Sequence, residues 1–247
     1  PSVFNTPPQV SAAPAGMKTS LQAWWDMEEA TGAARNDSHG TNHLSDIGIN
    51  DCTQETGRVN NGCGFANAPP ASSPILSVID NAALSMGAGV DCSIVFWQYN
   101  TTIPTGFKSL IDKSISGSID EYTTFLEVAG ASARYWFYVQ GTCGPSASVV
   151  ANTFGAPSTG TWYFVVCIHD ATANQIKISV NNGAFDTTVH SLDIADGTGS
   201  LQFNRRAVSN VSFDGRMDSA GIWKKVLSAT EISYLYNSGN GRQYSEL

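Results

Sequence analysis

Residues Phe213–Gly239 read FDGRMDSAGIWKKVLSATEISYLYNSG, a strand carrying glycine and aspartate that runs directly into a helix. The helix is signalled at both ends. Ser228 stands three residues before Glu231, the spacing at which a hydroxyl and a carboxylate take up the unpaired amides of a first turn. Ile232, Leu235 and Tyr236 then fall on one face, and Gly239 supplies the left-handed residue that ends a helix. The spacing predicts a short amphipathic lid against the edge of a β sandwich, closing the core where two sheets open. Asp218, inside the strand that feeds this helix, has no such ready explanation.

Upstream, the apolar segments have the two-residue period of strands. LQAWWDM, SPILSVID, CSIVFWQYN, YTTFLEVAG, ARYWFYVQG, SASVVAN, TWYFVVCIHD, QIKISVNNG and SLQFN follow one another between Gly, Asn, Asp and Pro. Gln175–Val180 alternates as a half-exposed strand should, whereas Trp162–Ile168 is nearly continuous and needs cover on both faces. That contrast predicts an all-β fold of two stacked antiparallel sheets. Asn181-Asn182-Gly183 predicts a tight hairpin, because Asn and Gly accept left-handed backbone angles. Residues 20–247 show neither a repeat nor a linker and read as one domain. Residues 1–19, rich in Pro, Ala and Ser, read as an extended arm, either a loose tail or a segment that docks on a partner.

Composition narrows the function. Of 247 residues, 42% are hydrophobic and only 14% charged, which suits short strands and tight turns better than helices held by ion pairs. A net charge of −8 repels a phosphate backbone, so no nucleic-acid partner is expected. No apolar run approaches the roughly 20 residues that cross a bilayer, so no membrane insertion is expected. The first residues lack the charged start and apolar centre of a secretory signal. Five cysteines at irregular spacings contain no C-x-x-C pair; Cys92 and Cys167 sit in apolar runs and read as buried core, while Cys52 and Cys63 either bridge a loop or stand free.

Both ends of the chain carry a resemblance. The stretch quoted above is similar to the closing motif of laminin-G-like domains of the concanavalin A-like superfamily, where a G-x-[IM]-D strand leads through L-S-x-x-E-I into a short helix. AWWDMEEATGAARNDSHGTNHLS, Ala23–Ser45, resembles the opening strand, acidic turn and D-S-x-G segment of that family, and DCSIVFWQY and GTWYFVVCIHD resemble its central strands. The resemblance implies a jelly roll with one concave sheet and a calcium ion bridging the opening and closing segments on the convex side. Its ligands would be Asp218, Asp37, and Asp26 or Glu28. The alternative is that Asp37 caps a turn while Asp218 pairs with Arg216 or a backbone amide. His39 departs from the small residues more usual in that loop.

The superfamily includes glycan hydrolases, yet the E-x-D-x-x-E type pattern of its laminarinase-like members is absent. Asp120-Glu121, with Glu127 further on, is the nearest acidic cluster and reads as a soluble turn, so no enzyme is expected. Glycan binding has better candidates, because sugar rings stack on exposed aromatic faces. Strand alternation puts Tyr135 and Phe137 on one face and Trp136, Tyr138 and Gln140 on the other, where the latter three would line the concave sheet. Trp24, Trp25, Trp97, Trp162 and Trp223 read as core. The arm, the free thiols and the single domain suit an exposed structural and adhesive module on a virus particle, such as a phage decoration or fibre protein, anchored to a capsid or other particle protein through the arm and homo-oligomeric if so. The alternative is an extracellular carbohydrate-binding lectin module.

Overall fold

The computed structural model describes residues 12–66, 73–115, 120–142, 146–206 and 211–247. They form two antiparallel sheets. The first orders β13 (Asp186–Val189), β12 (Gln175–Val180), β11 (Trp162–Asp170), β6 (Cys92–Asn100), β15 (Gly215–Trp223), β4 (Asn61–Phe65) and β3 (Thr53–Thr56), with β1 (Leu21–Trp25) also paired to β15. The second orders β10 (Ala147–Val150), β9 (Ser132–Val139), β8 (Asp120–Ala129), β7 (Lys108–Ser114), β14 (Leu201–Phe203), β5 (Leu76–Val78) and β2 (Ser45–Asp46). This is the expected all-β sandwich. Its main core lies between the sheets, built from inward residues such as Ile94 and Phe96 of β6, Val165 and Cys167 of β11, and Tyr135 and Phe137 of β9.

Trp162–Ile168 is covered on both faces, as its unbroken apolar run requires. Val165 and Cys167 enter the main core, while Phe164, Val166 and Ile168 enter a second one on the outer face of the eight-stranded sheet. Helix α1 (Ala229–Tyr236) roofs that second core. Ile232 and Leu235 pack there with Trp24, Trp97 and Trp223, so the helix lies on a sheet face and does not close the open edge of the sandwich. The reason is that β6, β11 and β15 are apolar on both faces and need a cover. Ser228 and Glu231 form the predicted capping box, but the helix ends at Tyr236 with Asn237 as the left-handed residue, two positions before Gly239. Residues 15–20 turn beneath the same roof: Met17 is buried and its carbonyl accepts the indole N–H of Trp223 at 2.9 Å. Residues 1–11 of the expected arm lie outside the described residues.

Asn181 and Asn182 both adopt left-handed angles in the predicted hairpin. Cys52 and Cys63 are joined as a disulfide across the β3–β4 ribbon, with Cα atoms 5.9 Å apart. Cys92 and Cys167 are buried free thiols, which burial pushes well above the usual thiol range; Cys143 lies outside the described residues. Among the described residues no helix is long and apolar enough to cross a membrane.

Candidate functional site

The inward alternation of β9 fixes what its outer face shows. Tyr135, Phe137 and Val139 are buried in the main core, so Trp136 and Tyr138 stand on the opposite face, as expected. Antiparallel partners share a face, and the registers extend that level across the whole sheet: Ser148, Tyr138, Thr123, Asp112, Gln202, Ser77 and Ser45 lie opposite one another, one from each strand. Every position in the row is polar. Asp112 is fully buried at its centre and accepts the hydroxyls of Thr123 at 2.6 Å and Ser114 at 2.5 Å.

Beside the polar row runs an aromatic one. The ring of Trp136 stacks on Phe125 at 5.7 Å with planes 13° apart, and Phe125 packs on Phe107 at 4.5 Å. Arg206 leans over Phe107 at 5.4 Å and forms an ion pair with Asp120. Polar atoms here that are shut from solvent without a hydrogen-bond partner include the indole Nε1 of Trp136, the amide Oε1 of Gln202, the Nε of Arg206 and Oδ1 of Asp120. Such orphaned groups cost about 1–3 kcal/mol each and are uncommon in native proteins. Gln140 does not join them; its Oε1 accepts the amide of Asp120 at 2.7 Å and holds the start of β8.

Phe107, Phe125, Asp112, Gln202 and Arg206 are the members of this face that sequence reasoning missed. Gln202 had a signal, a polar residue between two core residues in SLQFN. Asp112 had almost none, because KSLIDKS looks like a charged turn and only the register shows it to be a strand.

The four candidate metal ligands have other occupations. Asp37 accepts the amides of Trp24 (3.0 Å), His39 (2.9 Å) and Asn42 (3.0 Å), which makes it the cap of its turn and its tie to β1. Asp26 accepts the Trp24 indole at 2.6 Å, the Ser38 hydroxyl at 2.8 Å and the amide of Tyr244 at 2.9 Å. Glu28 accepts the amide of Asn61 at 3.0 Å and the Gln243 side chain at 2.8 Å. Asp218 is buried at a β-bulge and accepts the amide of Val59 at 2.7 Å and the hydroxyl of Ser219 at 3.0 Å. Burial pushes its pKa up to about 8 against the pull of these donors. Calcium needs six to eight oxygens free to converge. Among the described residues no three His, Cys, Asp or Glu side chains come together in a way that could hold a metal ion. His39 instead places Nδ1 3.1 Å from the Tyr244 hydroxyl.

The acidic cluster is equally committed. Asp120 is paired with Arg206, and Glu121 with the fully buried Lys113 at 2.5 Å. His169 and His190 meet edge to face at 5.7 Å.

Two packed antiparallel sheets with a polar and aromatic outer row define a lectin-like jelly roll. A laminin-G-type family model described as the concanavalin A-like lectin/glucanases superfamily matches residues 77–233, and the chain belongs to that superfamily. No curated protein sequence matches it. Among solved structures, the binding domain of Paraclostridial Mosquitocidal Protein 1 superposes with a TM-score of 0.69 at 16% identity, covering 90% of this chain and 53% of the other. Domain 4 of AbnA, a GH43 extracellular arabinanase from Geobacillus stearothermophilus solved with arabinotriose, gives 0.64 at 13% identity, with 90% and 98% covered. The binding domain of Botulinum Neurotoxin DC in complex with SialylT gives 0.65 at 14%, with 92% and 53% covered. The chain thus spans about half the length of the toxin binding domains and nearly all of the arabinanase domain.

Proposed function

We propose that the protein is a non-enzymatic carbohydrate-binding module that takes an oligosaccharide along the outer face of the seven-stranded sheet. The observation that carries this reading is the partly exposed set of Trp136, Tyr138 and Gln202 on one polar sheet face, with the Trp136 ring stacked on Phe125. Sugars offer hydroxyls to the polar side chains of that face and an apolar ring face to the indole. Gln202 and Tyr138 stand three strand spacings apart, about 14 Å at ~4.8 Å per spacing, which is longer than one sugar ring. The ligand is therefore a chain of sugars. The arabinotriose in the arabinanase domain and the SialylT in the neurotoxin domain lend support from the same fold.

Under this reading the acids of the opening and closing segments join them by direct hydrogen bonds, and calcium is a question for the melting experiment described below. A place on a virus particle, with an extracellular place as its alternative, rests with the arm sequence, whose residues 1–11 lie outside the described residues; the glycan face serves either. The test is a panel of neutral and acidic oligosaccharides. At least one is bound saturably, and Trp136→Ala or Gln202→Ala weakens it about tenfold or more, equivalent to ~1.4 kcal/mol. Binding unchanged in both variants would overturn the assignment of the face.

A further inference from the structure

On the opposite side of the molecule, five separate elements surround a cleft of about 420 Å³. Arg58 comes from the β3–β4 turn, Trp97 from β6, Trp162 from the start of β11, Asn181 from the β12–β13 turn, and Tyr236 and Gly239 from the end of α1 and the turn after it. Trp97 and Tyr236 are stacked at 5.8 Å with planes 13° apart, which makes one firm wall. Trp162, which the sequence assigns to the core, is only half-buried here. Gly239, with φ +90°, forms part of the rim: a side chain there would reach within 3.5 Å of Arg58 Nη2 and 3.6 Å of the Tyr236 hydroxyl, so its absence keeps the cleft open.

The cation in this cleft is uncommitted. Arg35 donates to backbone carbonyls, Arg206 pairs with Asp120, Arg216 with Glu55 and Arg242 with Glu246. The Arg58 side chain has neither a hydrogen bond nor an ion pair; it leans on the Trp97 ring at 5.3 Å, and its Nε is buried without a partner. In a chain of net charge −8 with 21 acidic residues, a guanidinium left free inside an aromatic cleft has been kept from its many available carboxylates. Its fork matches a planar carboxylate with two parallel hydrogen bonds. The end of the helix does not oppose this, because the Asn237 amide donates to the Ser233 carbonyl and the Gly241 amide to the Tyr236 carbonyl, so these carbonyls do not face the cleft unpaired.

We infer that this cleft is a second ligand site, specific for an acidic sugar: the carboxylate of a uronic or sialic acid residue meets Arg58, and the apolar face of its ring lies against Trp162. The volume suits one or two sugar residues, within the roughly 300–1,000 Å³ of ordinary ligand sites. The site is independent of the outer face of the other sheet and stands or falls separately.

The experiment titrates the whole chain with trigalacturonate and sialyllactose, and with methyl-esterified trigalacturonate and lactose as the uncharged counterparts. The expected result is that at least one acid binds about tenfold or more tightly than its uncharged counterpart and shifts the Trp162 indole signal in a nitrogen–proton correlation spectrum. Arg58→Gln removes the preference, and Arg58→Lys keeps part of it. Should Arg58→Gln fail to fold, Trp162→Ala serves, weakening the acid while leaving the melting temperature near that of the parent. Equal affinity for charged and uncharged sugars, no binding of either acid, or binding unchanged by both Arg58→Gln and Trp162→Ala would overturn the site.

Discussion

Asp218 shows what a single buried carboxylate does to this fold. It sits at the bulge of β15, out of water, and draws the β3–β4 turn onto that strand through the amide of Val59. Because burial raises its pKa from 3.8 to about 8, the folded chain keeps this proton over a range where the unfolded chain has lost it. The contribution is therefore fully present below about 4 and is lost as pH rises through about 8. Asp218→Asn, which resembles the protonated acid, is expected to flatten that part of the stability profile, as measured by denaturant midpoints from pH 4 to 8; an unaltered slope would contradict the assignment. The same residue tests the metal. Since Asp26, Glu28, Asp37 and Asp218 are already filled by N–H and O–H donors, adding calcium or a chelator is expected to leave the melting temperature where it was. A rise with calcium that Asp218→Asn abolishes would restore the cation implied by the family resemblance.

At the scale of elements, the helix is the cover of the second core. Leu235 is buried under the roof of the second core, so Leu235→Ala is expected to cost about 2–5 kcal/mol in a denaturant titration. A loss under ~1 kcal/mol would mean that the helix is a loose edge lid after all. Its existence and its N-terminal box were legible because Ser228 and Glu231 act over three residues; its place was not, because which sheet face it covers is decided by β6, β11 and β15 far away in sequence. The strands divide in the same way. Those carrying unbroken or alternating apolar runs were read correctly, whereas β7 was missed because its buried Asp112 and Lys113 look like turn charges until cross-strand partners such as Thr123 and Glu121 are in place. β3, TQET, and β13, DTTV, lie at an edge of the first sheet and carry no apolar signal at all. The alternation that sets Trp136 and Tyr138 opposite Tyr135 and Phe137 needed only the two-residue period; Gln140 lies just past the end of β9, where its Oε1 holds the Asp120 amide.

The whole molecule is a three-layer stack: helix, eight-stranded sheet and seven-stranded sheet. The stack leaves one sheet face without a roof of helix, and on that face every strand places a polar residue in register. Under the proposed function a sugar chain would lie along that polar row and stack on the aromatics beside it. The measurement that tests this most directly follows the Trp136 indole N–H in a nitrogen–proton correlation spectrum while the tightest oligosaccharide of the panel is added. The account predicts a saturable shift of that signal, with the same midpoint as the binding of that oligosaccharide in the panel and absent in Gln202→Ala at equal ligand concentration. A sugar that binds while the Trp136 signal stays fixed would place the glycan elsewhere on the molecule.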